Sequence, residues 1–264
     1  MASTSKPAPA RPCSAGCGKP AALVCGRCRV AAYDSVACQR KAWARHKLWC
    51  PLVGTAVPAD GLDGKVTFLG QWRSSLLELA THPSWNPKTF TGGATRLPRI
   101  SMPEDADGLS YVSLASFDAE ALRELRARPG AADVVLPARS VCLNLDYCLG
   151  TSPLFLLEAP AQGGGFSAAD LAGACAYAYQ WCYAMESAAI GGGRPSHPML
   201  MNRGSSAGPF EISMHDLEDL QLHSFALVGS LPAASAGAAG DSDRVDSGAP
   251  PAPVTLLLWP GIDS

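Results

Sequence analysis

The amino-acid sequence predicts a small cross-braced, metal-held finger followed by an α+β domain, and three observations carry that expectation. Six of the ten cysteines crowd into residues 13–50 in paired knuckles, while the other four are scattered without knuckle spacing. The charge is divided: residues 1–50 hold nine Lys and Arg against one acidic residue, Asp34, for +8, and the remainder carries −10. Beyond residue 61, short apolar or alternating runs are interleaved with helical patterns, as in a mixed α+β body.

The 264 residues suffice for one ordinary domain and a small one, and 47% hydrophobic with 17% charged residues can bury a core. Residues 1–12, MASTSKPAPARP, lack an apolar stretch and read as a disordered tail rather than a secretory leader. The best membrane-span candidate, Leu171 to Met185, is short and interrupted by Gln180, which makes it a core helix. The expectation is therefore the cytoplasm or nucleus, with no membrane partner. In such a reducing compartment clustered cysteines are metal ligands rather than disulfides.

In order, the ligand candidates are Cys13, Cys17, Cys25, Cys28, Asp34, Cys38, His46 and Cys50. Paired Cys and His suit Zn²⁺, a borderline-soft ion that takes tetrahedral S/N sites, and eight donors are too many for one ion. Ser35–Leu48 is expected to be helical, with Ser35 as N-cap. Cys38 and His46 then lie about 12 Å apart along that helix, at about 1.5 Å per residue, which one ion does not span. Interleaving follows: Cys13 and Cys17 with Asp34 and Cys38, and Cys25 and Cys28 with His46 and Cys50. The fold expected is thus a small cross-braced two-zinc finger plus an α+β domain.

The run CGKPAALVCGRCRVAAYDSVACQRKAWARHKLWC resembles the MYND zinc finger, a cross-braced two-zinc module, over residues 13–50. That resemblance implies a protein-interaction module that takes short Pro-rich peptides, often within nuclear or cytosolic regulatory assemblies. The Gln after the sixth ligand and the Trp four residues on line the family's peptide groove; here they are Gln39 and Trp43. One departure stands out, because the family has Cys where this chain has Asp34. If the carboxylate ligates, two zinc ions are expected and the first site is the weaker; if it faces solvent, one is expected. Trp43 likewise reads two ways, as a peptide anchor or as the finger's own core.

After the finger, residues 51–61 read as a Pro/Gly/Asp-rich linker and residues 62–264 as the α+β domain. Lys65–Gly70 reads as a strand, Gln71–Thr81 as a helix stopped before Pro83, and Phe117–Arg128 as a helix ended by Pro129-Gly130. Val141–Tyr147 and Pro153–Glu158 read as strands. Ser167 should cap a long helix reaching Ser187, with Leu171, Cys175, Ala178 and Cys182 on one stripe. Leu220–Gly229 and Val254–Gly261 read as a hairpin whose loop has grown into a low-complexity insertion at about 231–253. Cys142, Cys148, Cys175 and Cys182 read as small buried hydrophobes.

No catalytic constellation emerges, so none of these residues is assigned a catalytic role. The glycine runs 163–165 and 191–193 lack the lysine of a phosphate loop, and RGSSAG around Ser205 and Ser206 lacks the nucleophile elbow. His215 beside Asp216 suits a turn or cap better than a base and its orienter. The segment PFEISMHDLEDLQLHSFALVG, with VTLLLWPGIDS, loosely resembles an uncharacterised domain that accompanies such fingers in fungal and algal proteins, and implies no activity. The leading functional expectation is a zinc-binding adaptor for a protein or Pro-rich peptide. The alternative is an enzyme, since such fingers also occur in SET-type lysine methyltransferases, but the Asn-His-Ser-Cys stretch and trailing cysteines of those enzymes are missing. A nucleic-acid-associated regulator is disfavoured, because base-reading side chains are lacking.

Overall fold

Strands β1 (Leu23–Val24) and β2 (Ala32–Tyr33) pair antiparallel, with Leu23 opposite Tyr33, and lead directly into helix α1 (Val36–Trp49). These are seen in a computed structural model that describes residues 13–71, 99–161, 163–192, 204–228 and 257–263. Ser35 is extended at φ −155°, and its hydroxyl accepts from the Cys38 N–H at 3.2 Å, satisfying one orphan donor of the first turn. His46 and Lys47 lie in the last turn, where the helix dipole favours positive charge, and Pro51 sits in the tight turn Cys50–Leu52 that follows.

The segment expected as a linker runs along the body as an edge ladder. Gly54 N–H donates to the Phe68 carbonyl at 2.8 Å, Phe68 N–H to Thr55 at 3.0 Å, and Val57 N–H to Val66 at 2.9 Å. It thereby lies beside β3 (Lys65–Gln71), the outer strand of the main sheet. Gln71, expected to begin a helix, ends β3 instead; residues 72–81 lie outside the described residues.

The other strands are β4 (Arg99–Ser101), β5 (Val112–Ser113), β6 (Val134–Leu136), β7 (Ser140–Asn144), β8 (Pro153–Glu158), β9 (Phe166–Ser167), β10 (Gln221–Val228) and β11 (Leu257–Asp263). Seven of the body's strands form a mixed sheet in the order β3-β8-β7-β11-β10-β4, with β5 also on β10. All these pairs are antiparallel except β7 with β11. β6 and β9 make a separate two-stranded ribbon. β10 and β11 form the expected hairpin, Val228 opposite Leu257, and residues 229–256 between them are outside the described residues. β7 stops at Asn144, short of the expected Tyr147, where the chain turns into a left-handed Cys148 at φ 61°.

Helix α2 (Ala119–Ala127) is capped by Asp118 and buries Leu122 and Leu125. Helix α3 (Ala168–Ala189) opens on a reciprocal capping box between Ser167 and Asp170. Its many Ala, Gly and Cys residues allow close approach on nearly every side; a Cβ on Gly173 would sit 3.4 Å from both Leu122 and Phe117. Arg126 joins α2 to the α3 cap through Asp170 at 2.9 Å. The core lies between α3 and the sheet, where Trp181 meets Phe68, Phe155 and Phe210 at ring separations of 5.3, 5.9 and 5.7 Å. Cys148, Cys175 and Cys182 are buried there as small hydrophobes, while Cys142 is half-buried on the other face of the sheet. No helix among the described residues is long and apolar enough to cross a membrane.

The finger's core and the body's core are continuous. Gly70, at φ 127°, faces Val30 and Trp49 so closely that a Cβ there would sit 3.1 and 3.4 Å from their side chains.

Candidate metal centre

Two tight turns present the first ligand pairs. Between Cys13 and Cys17, Gly16 adopts φ 72° and its N–H donates to the Cys13 carbonyl. After Cys25 and Cys28, Arg29 adopts φ 56° and its N–H donates to the Cys25 carbonyl. Helix α1 supplies Cys38 from its first turn and His46 from its last, while Asp34 precedes the cap and Cys50 follows the helix.

The eight side chains converge in two groups of four. Cys25, Cys28, His46 and Cys50 form one; Cys13, Cys17, Asp34 and Cys38 form the other; within each, the donor atoms all lie within 4.8 Å of one another. Zinc bonds of about 2.3 Å to sulfur and about 2.0–2.2 Å to nitrogen or oxygen give tetrahedral edges of about 3.8 Å for S–S and about 3.5 Å for S–N or S–O. The Cys25–Cys50 sulfurs are 3.9 Å apart, Cys28 Sγ to His46 Nε2 is 3.3 Å, and Cys13 Sγ to Asp34 Oδ1 is 3.4 Å. Both clusters therefore have the size and donor chemistry for a zinc ion, and each supplies four protein donors, as structural rather than catalytic zinc requires. Bound there, zinc supplies cross-links between chain segments distant in sequence.

Crowding ionisable donors divides their proton affinities. Burial and the neighbouring Cys28 and Cys25 thiolates push the Cys50 thiol up to about 12. Cys38 also rises to about 12, chiefly through its hydrogen bond to Asp34, which in turn holds the Asp34 carboxyl below its ordinary range. At Cys13 and Cys25 burial opposes ionisation, but hydrogen bonds from backbone N–H groups and neighbouring thiols together outweigh it and lower both thiols. A dication in each cluster offsets the repulsion among the anionic donors.

Two residues that the sequence reading did not assign complete the His46 site. Tyr33 Oη lies 2.8 Å from His46 Nδ1, so with Nε2 turned to the metal cluster, Nδ1–H donates to the phenol and fixes the ring. Trp49, buried at 4% exposure, packs on the His46 ring with centroids 4.7 Å apart. Their signals were present: Tyr33 precedes a ligand candidate, and Trp49 is one turn from His46 on the same helix face.

The clusters also differ in depth. Cys25, His46 and Cys50 are buried and Cys28 half-buried; of the other four only Cys13 is buried, and Cys17 is exposed. Gln39 is half-buried, and Trp43 is 46% exposed, its ring edge-on to His46 at 5.6 Å.

The body's weighed residues have structural partners. Buried Glu186 accepts from Ser206 Oγ, from Gly208 N–H at 2.8 Å and from Phe210 N–H at 2.7 Å, tying loop 206–210 to α3. Asp216 caps the turn Leu217–Asp219, and His215 Nδ1 lies 4.0 Å from Asp219 Oδ2. Between α1 and the body lies a cleft of about 240 Å³ bordered by Arg45, Leu48, Gln71, Thr151, Pro209 and Glu211. It is bridged by the Arg45–Glu211 ion pair.

The MYND finger family model matches residues 13–50, the segment that holds both clusters. No curated protein and no solved structure matches the chain. MYND fingers are zinc-binding protein-interaction modules and are typically not enzymes, so this segment is a zinc-binding interaction module.

Proposed function

We propose that this protein is a zinc-dependent adaptor whose finger takes Pro-rich segments of partner proteins. The observation that supports this most is the setting of Trp43. Trp43 is 46% exposed, on a helix that gives Cys38 to one cluster and His46 to the other. Trp49, not Trp43, fills the finger's interior. A large aromatic ring already held in place loses little entropy on contact, and a polyproline segment is likewise extended before it binds. Gln39 stands one turn earlier, where an amide can hydrogen-bond a peptide backbone. Leu23 and Val24 on β1 are exposed apolar side chains of the finger as well.

Asp34 is, in this reading, the fourth ligand of the first site. Its oxygen stands 3.4 Å from the Cys13 sulfur, about the edge length of a zinc tetrahedron. A carboxylate among three thiolates, in the more exposed cluster, makes that ion the more exchangeable of the two. Thiolate ligands need reducing conditions, consistent with action in the cytoplasm or nucleus. The test is selection from a displayed random-peptide library on wild-type protein and on Cys25→Ser. Enrichment of Pro-containing peptides on wild type only is expected. Equal enrichment on both, or none on either, contradicts the reading.

A further inference from the structure

We infer that the Pro-rich segments this finger takes are acidic, carrying Asp or Glu on either side of the residues that meet Trp43, resting on the peptide-binding reading above. Helix α1 divides into three faces at 3.6 residues per turn. Cys38, Ala42, His46 and Trp49 face the clusters and the finger's interior. Ala44, Arg45 and Leu48 border the cleft against the body, where Arg45 is spent on Glu211. The third face carries Val36, Arg40, Trp43 and Lys47, at i, i+4, i+7 and i+11, and all four are exposed.

That stripe alternates apolar and basic groups. Val36 is 52% and Trp43 46% exposed, and Arg40 and Lys47 stand within one turn of Trp43 on either side. Among the described residues no carboxylate pairs with Arg40, Lys41 or Lys47. Nor does the finger itself supply one: Asp34 is its sole acidic residue, and it sits among the ligand sulfurs. An occupant that covers Val36 and Trp43 therefore lies beside unpaired positive charge. Acidic flanks complement that charge and steer encounter, whereas basic flanks are repelled. Nucleic acid would meet the same charge, but an apolar Val–Trp centre suits a peptide side chain better than a phosphate backbone.

The experiment titrates full-length zinc-loaded protein, by calorimetry at two ionic strengths, with three peptides sharing a Pro-Pro-Ala-Pro core flanked by Asp, by Ser or by Lys. The Asp-flanked peptide should bind on the order of tenfold tighter than the Ser-flanked one, the gap closing with salt. Arg40→Ala with Lys47→Ala should erase the gap while zinc content stays at the wild-type value. Equal affinity of all three peptides overturns the charge assignment and leaves the Pro-rich reading standing; no binding by any overturns both. Tighter binding of a single-stranded oligonucleotide, insensitive to Trp43→Ala, makes the occupant nucleic acid. Salt-sensitive self-association lost in the double variant makes it a second copy of the chain. Residues 241–253, DSDRVDSGAPPAP, are themselves acidic and Pro-rich. If the Asp-flanked peptide binds only after their deletion, the occupant is the chain's own segment and the partner assignment falls.

Discussion

The finger and the body reach order by different means. Few finger side chains are fully buried, mainly Ala31, Ala32, Tyr33, His46, Trp49 and three ligand cysteines, and only a small part of so short a chain can leave water. Its order comes from two four-donor clusters that join segments up to 25 residues apart, as Cys25 is joined to Cys50. The body instead buries α3 along almost its whole length and packs Trp181 of that helix on Phe68, Phe155 and Phe210. Metal ligation frees a surface. A finger that does not need its large apolar side chains for a core can expose Leu23, Val24, Val36 and Trp43.

Removing metal should break the comparison most strongly. Chelation, or Cys25→Ser, should unfold residues 13–50 outright, because binding free energy there is folding free energy. The body's circular dichroism should largely persist; its loss would show that the two regions fold as one. Elemental analysis of untreated protein should give two zinc equivalents.

The converse break lies in the body. Phe155→Ala should cost about 3–5 kcal/mol, read as a shift in the denaturant midpoint, while zinc content stays at the wild-type value. Zinc lost in step with Phe155 would mean that the finger depends on the body's core.

Gly70 sharpens the boundary between them. A methyl group there meets Val30 and Trp49 from a backbone conformation that favours glycine, so Gly70→Ala should cost about 1–3 kcal/mol. Part of that loss should appear as earlier metal release, since the clash falls on the finger side of the seam. Asp34→Cys should have the smallest effect. It leaves the fold unchanged and raises the chelator concentration needed to strip the first ion, because a fourth thiolate suits zinc better than a carboxylate. Easier stripping would show that Asp34 does more than ligate.

How much was legible in the sequence follows the same division. That Cys38 and His46 serve different ions was legible from spacing, because a helix of fixed rise keeps them from sharing one; which knuckle joins which is set by the fold. In the body, Ser167 as N-cap and the stripe on α3 carried a strong local signal. The strands β4, β5, β6 and β9 did not, being two or three residues long and ordered by pairing across the chain rather than by their own pattern. The parallel contact of β7 with β11 joins residues far apart in sequence, and no local periodicity encodes it. The packing of the finger against Gly70 was hidden for the same reason: a glycine in a strand marks close approach without naming what approaches. Tyr33 and Trp49 were visible only as aromatic residues near ligands, and their work on His46 needed three-dimensional geometry.

The central claim is that metal holds the finger so that Trp43 is free to grip a partner. It is tested most directly by titrating the Pro-rich peptide into Trp43→Ala and wild type, with zinc measured on the same samples. The account predicts full zinc content, unchanged folding and a loss of roughly 2 kcal/mol or more in binding, the size of an interface hot spot. Loss of zinc together with binding would make Trp43 a structural residue, and undiminished binding would place the grip elsewhere.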